Sequence, residues 1–150
     1  MFSKACEYAI RAALYISIKS VEGSKLGIKE IAKEIDSPEP FTAKILQTLS
    51  REKIISSIKG PNGGFYIDPK AKPVSLNAIV IAIDGDDVLH TCALGLKVCS
   101  DAFPCPIHND VKKYKERLKK VMKEKTLQDL TKELSSGKTF LKIDKKKRKR

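Results

Sequence analysis

No apolar run in this sequence comes near the roughly 18 residues that a membrane span requires. The longest, at positions 78–83, is six residues, so no membrane partner is expected. A secretory leader's apolar stretch is also missing, because Glu7 and Arg11 interrupt the first apolar residues. A cytoplasmic protein is therefore expected. There is no Cys-x-x-Cys pair, which argues against a thiol oxidoreductase. A Gly-rich nucleotide loop, a serine elbow and paired carboxylates are lacking too. No enzymatic activity and no small-molecule substrate are expected, and there is no internal repeat.

Charge is present but unevenly placed. The formal net charge is +12 over 150 residues. Residues 1–111 hold 13 Lys/Arg and 13 Asp/Glu, whereas residues 112–150 hold 17 and 5. A basic pI therefore says nothing about nucleic-acid binding by residues 1–111, which must rest on local patterning. Residues 145–150 are all cationic, and such a run is expected to be disordered. It either adds phosphate attraction or is a solvated terminus.

That patterning begins with a helical period over residues 3–19, carried by Ala5, Ala9, Ala12, Ala13 and Ile16, with Ser3 as N-cap. A short helix follows over 28–35, placing Ile28, Ile31, Ala32 and Ile35 on one face. The prolines at 38 and 40 block its continuation. A third helix is expected over 39–53, burying Phe41, Ile45, Leu46 and Leu49 and exposing Thr42, Lys44, Gln47, Thr48 and Arg51. Two short helices around a tight turn outline a helix-turn-helix. Residues 54–59 alternate like a strand, Gly60-Pro61-Asn62-Gly63-Gly64 is hairpin-turn chemistry, and 65–67 return. A hairpin in that position is a wing. Ser75 caps an apolar helix over 76–83, and a long helix starts at Asn109 or Asp110 with Val111, Tyr114, Leu118, Val121 and Met122 as its stripe. Thr126 with Asp129 opens a last short helix.

Of four cysteines, Cys6 lies among helix-one alanines and reads as core. Cys92, Cys99 and Cys105 fall within fourteen residues, separated by six and five. In a reducing cytosol such clustering points to metal or redox chemistry rather than structural disulfides. Thiolates are soft ligands for iron–sulfur clusters and zinc. A fourth ligand is needed, and His108 or a carboxylate from elsewhere would serve. The gaps are wider than those of zinc knuckles and lack the close repeat of bacterial ferredoxins. Structural zinc, redox-active thiols without metal and merely buried cysteines remain open alternatives. His90 reads as an exposed loop residue.

Four segments together resemble the Rrf-two family of winged-helix transcription regulators, in its iron–sulfur-binding branch. They are Glu7-Tyr8-Ala9-Ile10-Arg11-Ala12, Ile28-Lys29-Glu30-Ile31-Ala32, the wing Ile58-Lys59-Gly60-Pro61-Asn62-Gly63-Gly64-Phe65, and the triplet Cys92, Cys99 and Cys105. Thr126-Leu127-Gln128-Asp129-Leu130 also matches, so the likeness runs over residues 1–135. The resemblance implies a mostly α fold with a small β-hairpin wing, a winged helix-turn-helix followed by a long dimerisation helix. The expected divisions are 1–74 for DNA binding, 75–108 for a helix and the cysteine loop, 109–135 for dimerisation, and 136–150 for the basic tail.

It further implies a homodimeric, sequence-specific DNA-binding regulator that senses redox state, iron or nitric oxide. The three cysteines would hold a [2Fe-2S] or [4Fe-4S] cluster. The fourth ligand would be His108 or Glu7 of the partner subunit, and the slightly long first gap leaves the cluster type open. Thr42, Ala43, Lys44, Gln47 and Arg51 on the third helix, with Ser57, Lys59, Asn62 and Gly63 on the wing, are the expected contacts to a pseudo-palindromic operator. Gln pairs with adenine and Lys with guanine in the major groove, while wing residues reach phosphates or the minor groove.

Overall fold

The computed structural model describes residues 1–142, so the basic run at 145–150 lies outside the described residues. Helix α1 spans Lys4–Val21. It starts where predicted because the Ser3 side chain accepts from the Cys6 N–H at 3.0 Å, satisfying one of the free amides of a helix start. Its alanines at 9, 12 and 13 are fully buried, and their small side chains let later helices pack closely against it.

Helix α2 (Ile28–Glu34) and helix α3 (Glu39–Arg51) flank the turn. The chain reverses at Asp36, whose φ of 51° is left-handed. Asp tolerates that region better than most residues. Helix α3 buries Thr42, Ile45, Leu46 and Leu49, the i, i+3, i+4, i+7 stripe of an amphipathic helix. This corrects the expected faces at two positions. Position 42 belongs to that stripe and position 41 lies about 100° off it. Thr42 is 0% exposed and Phe41 37%. The Thr42 hydroxyl is satisfied by donating to the Pro38 carbonyl at 3.0 Å, and Phe41 instead meets Tyr8 edge-on, with centroids 5.8 Å apart.

The wing is an antiparallel pair, β1 (Ser56–Ile58) with β2 (Gly64–Tyr66), in the register Ser57 opposite Phe65. It is shorter than the alternation suggested, because Ile54 and Ile55 turn into the core before the ladder starts. Phe65 also exchanges backbone hydrogen bonds with Leu26 at 2.8 and 3.0 Å, fastening the wing to the segment ahead of α2. Gly64 makes this possible. Its φ is +142°, and a Cβ there would stand 2.8 Å from the Leu26 carbonyl oxygen.

Helix α4 (Leu76–Asp84) is capped by Ser75 and stopped by Gly85 at φ 78°. A 3₁₀ turn, Asp86–Leu89, then leads into an irregular loop. Helix α5 spans His108–Glu124 and α6 spans Leu127–Ser135. The predicted Thr126–Asp129 capping box is present in full. Leu127 N–H donates to the Val74 carbonyl at 2.8 Å, and buried Thr131 reaches the Ser17 hydroxyl on α1 at 2.8 Å. One core therefore joins Ala9 and Ile16 of α1, Leu46 of α3, Ile79 of α4, Met122 of α5 and Leu127 of α6.

The α5 stripe is only partly used by this core. Met122 is buried, but Tyr114 and Val121 are 57% and 46% exposed. Among the described residues, no helix is long and apolar enough to cross a membrane.

Candidate nucleic-acid interface and cysteine loop

Because Ile45, Leu46 and Leu49 point inward, helical geometry turns Lys44, Gln47 and Arg51 outward. All three are exposed and Ala43 is half-buried beside them. Arg51 lies 3.6 Å from neighbouring Glu52, an exposed pair that water screens. Thr42, expected among these contacts, is turned into the core and presents nothing to a ligand. Phe41 takes its place on the outer side, next to Tyr8, over whose ring the Arg11 guanidinium lies 4.9 Å from the centroid. The misleading signal was Phe41's hydrophobicity; only the full stripe of four buried positions corrects it.

On the wing, Ser57, Lys59 and Asn62 are exposed and Gly63 is half-buried. Gly63 donates to the Gly60 carbonyl at 3.0 Å, and a Cβ there would overlap the Ile58 carbonyl. Its residue type is explained by the turn itself.

The cysteine loop begins at Gly85 and returns to helix at His108. Cys92 and Cys105 are half-buried and Cys99 is exposed. Backbone N–H groups of Leu94 and then Leu96 hydrogen-bond the Cys92 sulfur and hold its thiol below the usual range, helped by a hydrogen bond with Cys105 and by nearby Lys115. Cys99 Sγ stands 3.5 Å from Nδ1 of His108. The opposite ring nitrogen, Nε2, is 2.8 Å from Asp101 Oδ1. Lys112 donates to both Asp101 oxygens at 2.8 and 2.9 Å. That contact first, and His108 second, holds the Asp101 carboxyl below the usual carboxylate range.

Of these donors, Cys99 and His108 stand within contact of one another. Among the described residues, no three His, Cys, Asp or Glu side chains converge on one point. A cavity of about 300 Å³ lies between the loop and α5, lined by Leu89, Cys99, Asp101, His108, Val111 and Lys112. Three thiols in the loop and one imidazole at the start of α5 are, by the chemistry of their donor atoms, the type that holds a soft metal ion or an iron–sulfur cluster.

Glu7 joins neither pair; it is exposed and ion-paired with Lys4 at 3.2 Å. His90 is exposed as expected, 3.1 Å from Lys119 Nζ. Cys6 is fully buried, and burial, reinforced by Asp84, pushes its thiol up to about 12. Asp101 was not singled out from the sequence, although its place two residues after Cys99 was the available sign.

The chain matches the family model described as Rrf2, iron-dependent transcriptional regulator, over residues 2–133. NsrR of Oceanobacillus iheyensis, a helix-turn-helix transcriptional regulator, is 27% identical over 130 residues, covering 86% of this chain and 88% of that protein. The structure of CymR, the global cysteine regulator of B. subtilis, superposes with a TM-score of 0.70 at 20% identity, covering 88% of this chain and 96% of that one. T. potens IscR gives 0.69 at 18% identity, with 95% and 93% covered. The winged-helix architecture is shared with these structures, and the family and the curated relative are regulators of transcription rather than enzymes.

Proposed function

On the premise that this chain belongs to the Rrf2 family of DNA-binding transcription regulators, we propose that it is a cytoplasmic homodimer that reads a pseudo-palindromic operator and senses iron, redox state or nitric oxide through an iron–sulfur cluster. Cys92, Cys99, Cys105 and His108 would hold the cluster. The observation that carries this reading is His108. It is buried at 6% exposure, with Nδ1 toward the Cys99 sulfur and Nε2 hydrogen-bonded to Asp101. A carboxylate on the far ring nitrogen orients an imidazole and raises its strength as a ligand. Glu7 has no comparable support within its own chain, and its role from the partner subunit becomes the competing arm of the test.

When bound, the cluster supplies a centre whose charge and integrity respond to oxidants, iron supply and nitric oxide. The chain's own residues provide the coupling. His108 opens α5, so whatever orders the loop also sets where the long helix starts. Tyr114 and Val121 on that helix offer an apolar face to a second copy. Lys44, Gln47 and Ala43 would read base edges from α3, and Lys59, Ser57 and Asn62 would reach the backbone from the wing.

The test is anaerobic purification or reconstitution of wild type, His108→Ala and Glu7→Ala, followed by visible absorption, Mössbauer spectroscopy and assays of iron and acid-labile sulfide. Wild-type protein should be brown and hold a cluster that His108→Ala destabilises while Glu7→Ala does not. Wild-type protein carrying neither iron nor sulfide would remove the cluster reading. A second reading, a redox switch of bare thiols, is favoured by Cys92 and Cys105 being half-buried and Cys99 exposed, all three as free thiols. It predicts a colourless protein whose DNA affinity changes with thiol oxidation, whereas bound zinc in colourless protein would point to a structural metal.

A further inference from the structure

The cavity of about 300 Å³ between the cysteine loop and α5 is chemically one-sided. Among the described residues Cys99 is the loop thiol on its lining, whereas Cys92 and Cys105 stand outside it and are half-buried. Cys99 is exposed, so a molecule seated in the cavity has direct access to its sulfur.

The α5 wall is basic. Lys112, Lys115 and Lys119 lie at i, i+3 and i+7 on one face of the helix, and all three line the cavity. Lys112 is compensated by Asp101, whose two oxygens it meets at 2.8 and 2.9 Å. The other two are not compensated in this way. Lys115 donates to the Thr91 carbonyl, and Lys119 Nζ stands 3.1 Å from His90 Nε2. Neither partner is a carboxylate, and Glu116 is the remaining acid on the lining. Two cations against one acid leave a positive surplus beside an accessible thiol. Such a surplus draws anions, and a basic, partly exposed setting is where thiols react.

We propose that Cys99 of the metal-free chain is a modification site for anionic low-molecular-weight disulfides, drawn into this cavity by Lys115 and Lys119. The Cys99 sulfur attacks one sulfur of the disulfide. The S–S bond of the reagent breaks and a new bond to Cys99 Sγ forms. The other half leaves as a thiol that carries the Cys99 proton. Cys99 is thereby oxidised to a mixed disulfide and the departing half is reduced. Excess thiol reverses the step, and while it lasts it caps a sulfur that a metal centre would need. This names the thiol and the oxidant class for the bare-thiol reading, and rests on that reading only for its effect on DNA binding.

The experiment uses the full chain, reduced and freed of metal, then exposed to anionic glutathione disulfide, neutral hydroxyethyl disulfide or cationic cystamine. Intact mass and peptide mapping follow the rate at each cysteine. Each rate is divided by that of the urea-unfolded chain, which removes the intrinsic reactivity of the reagent. Glutathione disulfide should mark Cys99 before Cys92 and Cys105. The normalised rate should fall from glutathione disulfide through the neutral reagent to cystamine. Lys115→Gln with Lys119→Gln should lower the preference for glutathione disulfide over the neutral reagent by about fivefold, the worth of one charge contact at about 4 Å in water. Raising salt from about 10 mM to 1 M should erode the same preference in wild type, with no substitution needed. Equal normalised rates for the three reagents, or a preference that salt leaves intact, would overturn the proposal. Marking of Cys92 or Cys105 ahead of Cys99 would overturn it too. Fluorescence anisotropy of the finished mixed disulfide, on a duplex from upstream of the protein's own gene, reads the switch separately. Unchanged affinity there removes the bare-thiol switch and leaves the modification site standing.

Discussion

The backbone N–H of Ser3 donates to Oδ2 of Asp84 at 2.9 Å, and the Ser3 hydroxyl is hydrogen-bonded to the other carboxylate oxygen. The last residue of α4 thus lies at the N-terminus of α1, where the helix macrodipole favours negative charge. The next residue, Gly85, opens the cysteine loop. Position 84 therefore holds one end of that loop against the helix that supports the DNA-binding unit. Asp84→Ala should lower stability by about 1 kcal/mol, since hydrogen bonds to a charged group are worth somewhat more but these are exposed to water. That corresponds to a melting temperature lower by about 2–4 °C for a domain of this size. Calorimetry on metal-free protein checks it, and an unmoved midpoint would mean that the link contributes nothing.

Thiol accessibility divides four cysteines into one and three. Cys6 is sealed in the core and its thiol is pushed up to about 12 by burial, then by Asp84. Reactivity needs thiolate and access. Alkylation of folded, metal-free protein near neutral pH should therefore stop at Cys92, Cys99 and Cys105, with Cys6 modified only after denaturation. Mass spectrometry reads the sites, and modification of Cys6 in folded protein would contradict the packing described.

Thr42 and Gln47 lie on the same helix and should fail differently. Thr42→Val keeps the shape and loses the hydrogen bond to Pro38, costing about 1 kcal/mol of stability with DNA affinity per folded molecule unchanged. Gln47→Ala should leave the melting curve in place and weaken discrimination at one base pair by about 1–3 kcal/mol. Melting curves and binding to single-substituted operators separate the two. A Thr42→Val protein of normal stability that no longer binds DNA would return Thr42 to the contact surface.

Asp129 carries a pH dependence. The Thr126 hydroxyl, then the Thr126 backbone N–H, hold its carboxyl below the ordinary range. A carboxyl depressed in the folded state stabilises above the unfolded value of about 3.9, and that contribution is lost as pH falls through the folded value. Asp129→Asn should accordingly melt earlier than wild type at neutral pH, with the difference closing in strong acid. Thermal scans across that range decide it; a gap that persists in acid would exclude the ionised cap as its source.

Helix starts are legible in the sequence where the signals are local and redundant. Ser3, Ser75 and Thr126 each cap the helix assigned to them, because a cap needs only the next three residues. The wing turn was legible for the same reason, since glycine meets a backbone demand within the turn. Phe41 and Thr42 were misread because two adjacent positions compete for one stripe and hydropathy favoured the wrong one. The winner was set by which position completes the packing against α1 and α2.

The order of helices, the hairpin after the helix-turn-helix and the presence of three candidate thiolate ligands all follow from short-range patterns along the chain. The partnering of those ligands does not. That Cys99 faces His108 and that Asp101 and Lys112 hold the imidazole from behind depend on how α5 packs against α4 and α6 against α1. An irregular loop has no period from which such meetings can be counted, so only packing in three dimensions decides them.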